Sequence, residues 1–136
     1  MNKPINIILD LDPTLPLIRG DEQRIRQIML NLISNSCKFT DQGQIVIKSY
    51  LENQEIMTAI CDSGPGIDPQ YHETIFEVFR QTKVGLRKSE GTGLGLPISR
   101  RLTEAHHGRL WVKSALGQGA TFYVSLPINS CLELTV

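Results

Sequence analysis

The chain lacks most of what would tie it down covalently or draw it into a membrane. Its three cysteines, Cys37, Cys61 and Cys131, are an odd set whose spacing fits neither a metal motif nor a CxxC pair. Reduced thiols in a cytoplasmic setting are therefore the expectation. No apolar run approaches the ~20 residues that a membrane-spanning helix needs. The N-terminus has neither the charged start nor the apolar middle of a secretory leader. Direct membrane contact is not expected of this stretch, although a longer membrane-anchored protein could carry it. Neither sign of charge dominates, with 14 Lys plus Arg against 14 Asp plus Glu. Nothing in this balance favours nucleic acid as a partner, so any anion must be held by a local site. Internal repeats, low-complexity tracts and linkers are also missing.

What is present suffices for one globular domain over residues 1–136, with 40% hydrophobic and 21% charged residues. Its expected core covers about residues 5–127, and 128–136 form a peripheral tail. Ile5 to Leu11 reads as a strand. Pro13 and Pro16 then break the chain, and Asp21 is placed to cap a long helix. Ile25, Ile28, Met29, Leu32 and Ile33 recur at helical spacing up to an end near Phe39. Gln44–Leu51 and Glu55–Cys61 read as strands joined by a hairpin turn. A short amphipathic helix is predicted over Tyr71–Phe79, followed by a polar, mobile loop over Thr82–Glu90. A further helix runs from Leu96 or Pro97 to His106, with Gly108 as its stop. Arg109–Ser114 and Ala120–Leu126 complete the strands, with Trp111 and Phe122 expected in the core. The fold class is α/β, a two-layer sandwich with a mixed sheet of about five strands backed by three helices.

Three groups of residues carry chemistry. Asn31, Asn35 and Lys38 fall within about 60° of one another on the long helix, at ~100° per residue. A solvated face is the plain explanation, but asparagine is a poor helix former for that purpose. Amide oxygens ligate a hard cation such as Mg²⁺, and a neighbouring lysine neutralises phosphate. Asp62-Ser63-Gly64-Pro65-Gly66 follows an apolar strand. A carboxylate there suits an exocyclic amine, and the glycines admit a flat ligand; an Asx-type turn is the alternative. Gly91-Thr92-Gly93-Leu94-Gly95 opens a helix, where backbone N–H groups and the helix dipole attract phosphate. It is neither a Walker A loop nor a dinucleotide fingerprint.

Taken in order, with the paired phenylalanines Phe76 and Phe79 as a fourth motif between the Asp62 turn and the glycine run, these motifs resemble the histidine-kinase ATPase family, in the wider group with type II topoisomerases, mismatch-repair ATPases and certain chaperones. The matching text is Asp21–Thr40, Asp62–Pro69, Ile75–Gln81 and Gly91–Pro127, so the resemblance spans about Ile5 to Pro127. It implies an ATP-binding, Bergerat-type fold with ATP and Mg²⁺ between the long helix and the glycine loops. By resemblance Asn35 ligates Mg²⁺, Asn31 assists, and Lys38 approaches the phosphates. Asp62 takes the adenine amine, Gly64, Gly66 and Ile67 shape the pocket, and Thr121 supports Asp62 directly or through water. The implied set is completed by Phe79 and Arg80, and by Gly91, Thr92, Gly93, Leu94, Gly95 and Leu96. The sequence departs from the family at Ser36, usually alanine, at Val78, frequently proline, and at His106-His107, commonly small or apolar.

The same resemblance implies a protein-histidine kinase whose γ-phosphate goes to a histidine on a separate helical-hairpin domain. A response regulator is then an indirect partner. His72, His106 and His107 are expected to be structural, not phosphoacceptors. Two rivals are a nucleotide-binding regulatory module without transfer and an ATP-gated clamp. The clamp relatives carry a catalytic glutamate where this chain has Asn31.

Overall fold

The computed structural model describes residues 5–16, 18, 20–40, 42–77 and 95–128. Five strands, β1 (Ile5–Leu11), β2 (Gly43–Glu52), β3 (Glu55–Asp62), β4 (Arg109–Ser114) and β5 (Ala120–Pro127), form one sheet in the order β1-β2-β3-β5-β4. Only β1 and β2 pair in parallel. A parallel pair needs a crossover connection, and α1 (Glu22–Phe39) lies in it. The β2–β3 hairpin closes through Asn53 and Gln54, both at positive φ (54° and 66°). That is the primed turn whose twist matches paired strands.

Helix α1 starts where the sequence says it should. The Asp21 carboxylate accepts the N–H groups of Gln23 and Arg24 at 3.1 and 3.2 Å, satisfying two otherwise orphaned donors. Ile28, Leu32, Ser36 and Thr40 follow one another every fourth residue and are all fully buried. This stripe faces the sheet, and it changes from apolar to small and polar towards its C-terminal end.

Helix α2 (Gly95–Ala105) packs beside α1 and over β4 and β5. It ends in a Schellman-type turn, with Gly108 N–H donating to the Thr103 carbonyl at 2.9 Å. The left-handed residue is His107 (φ 65°), not the expected Gly108. Gly108 answers a different need, since a Cβ there would come within 2.0 Å of the Ser125 carbonyl.

The core is Ile28, Leu32, Ile45, Ile60, Phe122 and Val124, each at most 1% exposed. Phe76 joins it edge-on to Phe122 at 6.2 Å. Trp111 does not join. The β4–β5 register pairs Trp111 with Tyr123 on the face away from the helices. There the two rings stack at 5.3 Å between Arg109 and Lys113. The helix predicted over Tyr71–Phe79 is, in its described part, two 3-10 turns, Pro69–Tyr71 and Thr74–Phe76. The N–H groups of His72 and Phe76 reach back three residues instead of four, and the Thr74 hydroxyl occupies the Tyr71 carbonyl. Residues 78–94, the expected mobile loop among them, lie outside the described residues.

Candidate nucleotide site

The site is organised by the end of β3. Asp62 is the last residue of that strand, level with Ile45 of β2 and Ala120 of β5. Its carboxylate points to the helix-covered side, where Oδ1 accepts the Gly64 N–H at 2.9 Å. Burial pushes the Asp62 carboxyl above its ordinary range. The backbone N–H groups of Gly64 and Ala120 and the Ser36 hydroxyl partly offset this by favouring the charged form. Asp62 is thus a half-buried acceptor held by backbone donors, a suitable partner for a neutral amine.

The loop after Asp62 is fixed from β4. Ser114 accepts the Ile67 N–H at 2.7 Å and donates to the Gly119 carbonyl at 2.8 Å. Gly66 has φ 82°, and a Cβ on it would meet the Ala115 carbonyl at 2.1 Å. Only glycine lets the backbone pass there. Ile67 packs against the core.

On α1, which packs against β3, Asn31, Asn35 and Lys38 are all partly buried. For Asn31 this is not a solvated face. Its amide nitrogen donates to the Gly95 carbonyl at 3.4 Å and to the fully buried Ser99 hydroxyl at 3.1 Å. A carbonyl can only meet a donor, so the geometry fixes the amide orientation and leaves its oxygen without a hydrogen bond among the described residues. Asn35 makes no side-chain hydrogen bond among the described residues. Two amide oxygens one helical turn apart are thereby available to a hard cation. No cluster of three His, Cys, Asp or Glu side chains that could hold a metal occurs among the described residues. The donor set fits Mg²⁺, which binds oxygen and shares its coordination with water and phosphate.

Gly95 opens α2 as expected, and the Leu96 side chain is buried in the core. Leu96 therefore has only its backbone to offer a phosphate. Phe79, Arg80, Gly91, Thr92, Gly93 and Leu94 lie outside the described residues. Thr121 does not support Asp62 directly. It pairs with Cys61 on the opposite face of the sheet, and its hydroxyl donates to Cys61 Sγ at 3.2 Å.

Several residues at or behind the site carry no motif, and for His106 the sequence predicts a structural role without its partners. Ser99 and Ser114 are single serines at positions without a motif. His106 is nearly buried between the helices, with Nδ1 on the Leu102 carbonyl at 2.9 Å and Nε2 accepting the Asp21 N–H at 3.1 Å. Arg100 lies 4.4 Å from the Phe76 ring centroid and grips Glu73 at 2.9 Å. That contact draws the Glu73 carboxyl below its ordinary range.

Residues 20–130 match the profile of the histidine kinase-, DNA gyrase B- and HSP90-like ATPases. The adaptive-response sensory kinase SasA of Crocosphaera subtropica is 38% identical over 128 residues, covering 93% of this chain and 33% of SasA. A nucleotide-free catalytic domain of histidine kinase ThkA superposes with a TM-score of 0.79 at 31% identity. That match covers 91% of this chain and 79% of the ThkA domain. Full-length ShkA in complex with AMPPNP superposes with a TM-score of 0.80 at 38% identity, covering 90% of this chain and 25% of ShkA. The chain spans about a third of the length of the SasA relative. Among the described residues, no helix is long and apolar enough to cross a membrane.

Proposed function

The chain belongs to the histidine kinase-, DNA gyrase B- and HSP90-like ATPase family, on the side of the histidine-kinase catalytic domains, and on that footing we propose that it binds Mg²⁺-ATP and presents the γ-phosphate to a histidine on a separate helical-hairpin domain. Within the longer protein it would serve as the catalytic part of a cytoplasmic phosphorelay whose downstream partner is a response regulator. The observation that carries this reading is the arrangement of Asp62, held on the Gly64 N–H, with the amide face of α1.

In this reading Asp62 accepts the adenine amine, and the Gly64–Ile67 loop forms the wall beside the ring. Asn35, with Asn31 beside it, holds the metal through amide oxygens, and Lys38 faces the phosphates. Gly93 and Gly95 supply backbone N–H groups, and Arg80 a further phosphate contact. Bound Mg²⁺ supplies charge neutralisation at the phosphates. The chain's own work is positioning, which dominates phosphoryl transfer. Asn31 weighs against a clamp-type hydrolase. It stands where those relatives carry a glutamate, and its amide nitrogen is committed to Gly95 and Ser99. Without a carboxylate at that point no group is left there to activate water.

Titration calorimetry with ADP and ATP, with and without Mg²⁺, tests the binding half. Asp62→Ala is expected to abolish adenine recognition. Asn35→Ala is expected to weaken Mg²⁺-dependent binding while sparing metal-free binding of adenosine. Unchanged ADP affinity in Asp62→Ala would place the pocket elsewhere.

A further inference from the structure

The other wall of the Asp62 pocket is set by which hydroxyls can reach the carboxylate. Strand β5 brings none. The residue level with Asp62 on its own face is Ala120, and the Thr121 hydroxyl is spent on Cys61 across the sheet. The facing element is α1. Its buried stripe passes from Leu32 to Ser36, which is fully buried where the family usually has alanine. Ser36 Oγ makes no hydrogen bond of good geometry among the described residues. A buried hydroxyl left in that state opposes folding. It nevertheless lies near enough to Asp62 to favour the charged carboxylate. The hydroxyl is thus short of a full bond, beside an acceptor that has lone pairs to spare.

We infer that Ser36 is a positioning residue whose hydroxyl donates to the Asp62 carboxylate when an adenine nucleotide draws that carboxylate into its binding orientation. The inference rests on the reading that Asp62 accepts the purine amine. Gly64 holds one oxygen from the loop side, and Ser36 steadies the carboxylate from the helix side. A carboxylate fixed from both sides loses less freedom on meeting the amine, and it prefers the ionised form that accepts. The hydroxyl therefore contributes to recognition of the amine, not to the general stability of the domain.

The test uses ADP and IDP, which differ at the purine 6-position, titrated into the wild type and Ser36→Ala. IDP lacks the amine, so its residual binding through the phosphates also reports that the variant is folded. Ser36→Ala is expected to weaken ADP about three- to tenfold, the scale of one hydrogen bond, and to leave IDP unchanged. The acid limb of ADP binding should also move to higher pH, because the carboxylate loses a donor that favours its charge. Equal ADP affinity in the two proteins, or equal losses for ADP and IDP, would overturn the role of Ser36. A wild type that does not prefer ADP over IDP would instead overturn the adenine assignment of Asp62, and Ser36 with it.

Discussion

His106 and Asp21, 85 residues apart in sequence, meet through a hydrogen bond from the Asp21 backbone N–H to His106 Nε2 at 3.1 Å. The bond joins the C-terminal end of α2 to the capping residue of α1. The other ring nitrogen faces the Leu102 carbonyl and must carry the proton. His106 is therefore a neutral bridge between the two helices that frame the site, and it is not placed to receive a phosphoryl group.

Replacing that bridge should cost stability and spare the chemistry. His106→Ala leaves the Asp21 N–H and the Leu102 carbonyl without their partner and opens a gap beside Gly20. A loss of about 1–3 kcal/mol is expected in urea unfolding. ADP affinity of the folded fraction should change less than about twofold. Loss of phosphotransfer at full stability would contradict this.

The Asn31 contact predicts a coupled outcome. Asn31→Ala removes the donor to Gly95 and Ser99, for an expected cost of about 1–2 kcal/mol. Asn31→Asp should be worse, since a carboxylate oxygen would face the Gly95 carbonyl. Both should weaken nucleotide binding, because Gly95 begins the helix assigned to the phosphates. Chemical denaturation and ADP titration on the same samples check this.

Asp62 gives a pH signature with a definite sign. Burial raises its carboxyl above the ordinary value of 3.8, so the folded state holds this proton more tightly than the unfolded state does. Its stabilising contribution is complete below that ordinary value and is lost as pH rises through the folded value. Asp62→Asn should therefore gain stability relative to the wild type as pH rises from below 3.8, then level off. Unfolding midpoints across pH 3–8 measure it, and a gap constant over that range would contradict the burial argument.

Arg100 ties the Phe76 turn to α2. Arg100→Ala loses both the Glu73 pair and the contact over the Phe76 ring. About 1–2 kcal/mol is expected, mostly from the ring contact, since the Glu73 partner is exposed. Arg100→Lys should recover only part, because an ammonium cannot repeat the two-pronged grip. Thermal unfolding of the three proteins orders them.

Much of this was legible in the sequence because local physics decides it. The Asp21 cap, the apolar stripe of α1 and the strand pattern depend on near neighbours, and the five strands lie within a residue or two of where they were expected. The parts that were not legible depend on distant partners. Thr121 and Ala120 sit one residue apart, and the β3–β5 register alone decides which shares a face with Asp62. Trp111 turned outward for the same reason. The Tyr71–Phe79 stretch has helical spacing, but Pro69 and the Thr74 hydroxyl divert its backbone bonds. In the sequence Ser36 is only a departure from alanine, and the packing of α1 against β3 is what brings it to a carboxylate.

The fate of the γ-phosphate tests the proposed transfer directly. The purified chain is incubated with γ-labelled ATP and Mg²⁺, alone and with the helical-hairpin domain proposed as its phosphoacceptor. Acid-labile, base-stable label is expected on a hairpin histidine and none on this chain, with transfer lost in Asn35→Ala and Asp62→Ala. Rapid labelling of the chain alone, or sustained ATP hydrolysis without transfer, would contradict it.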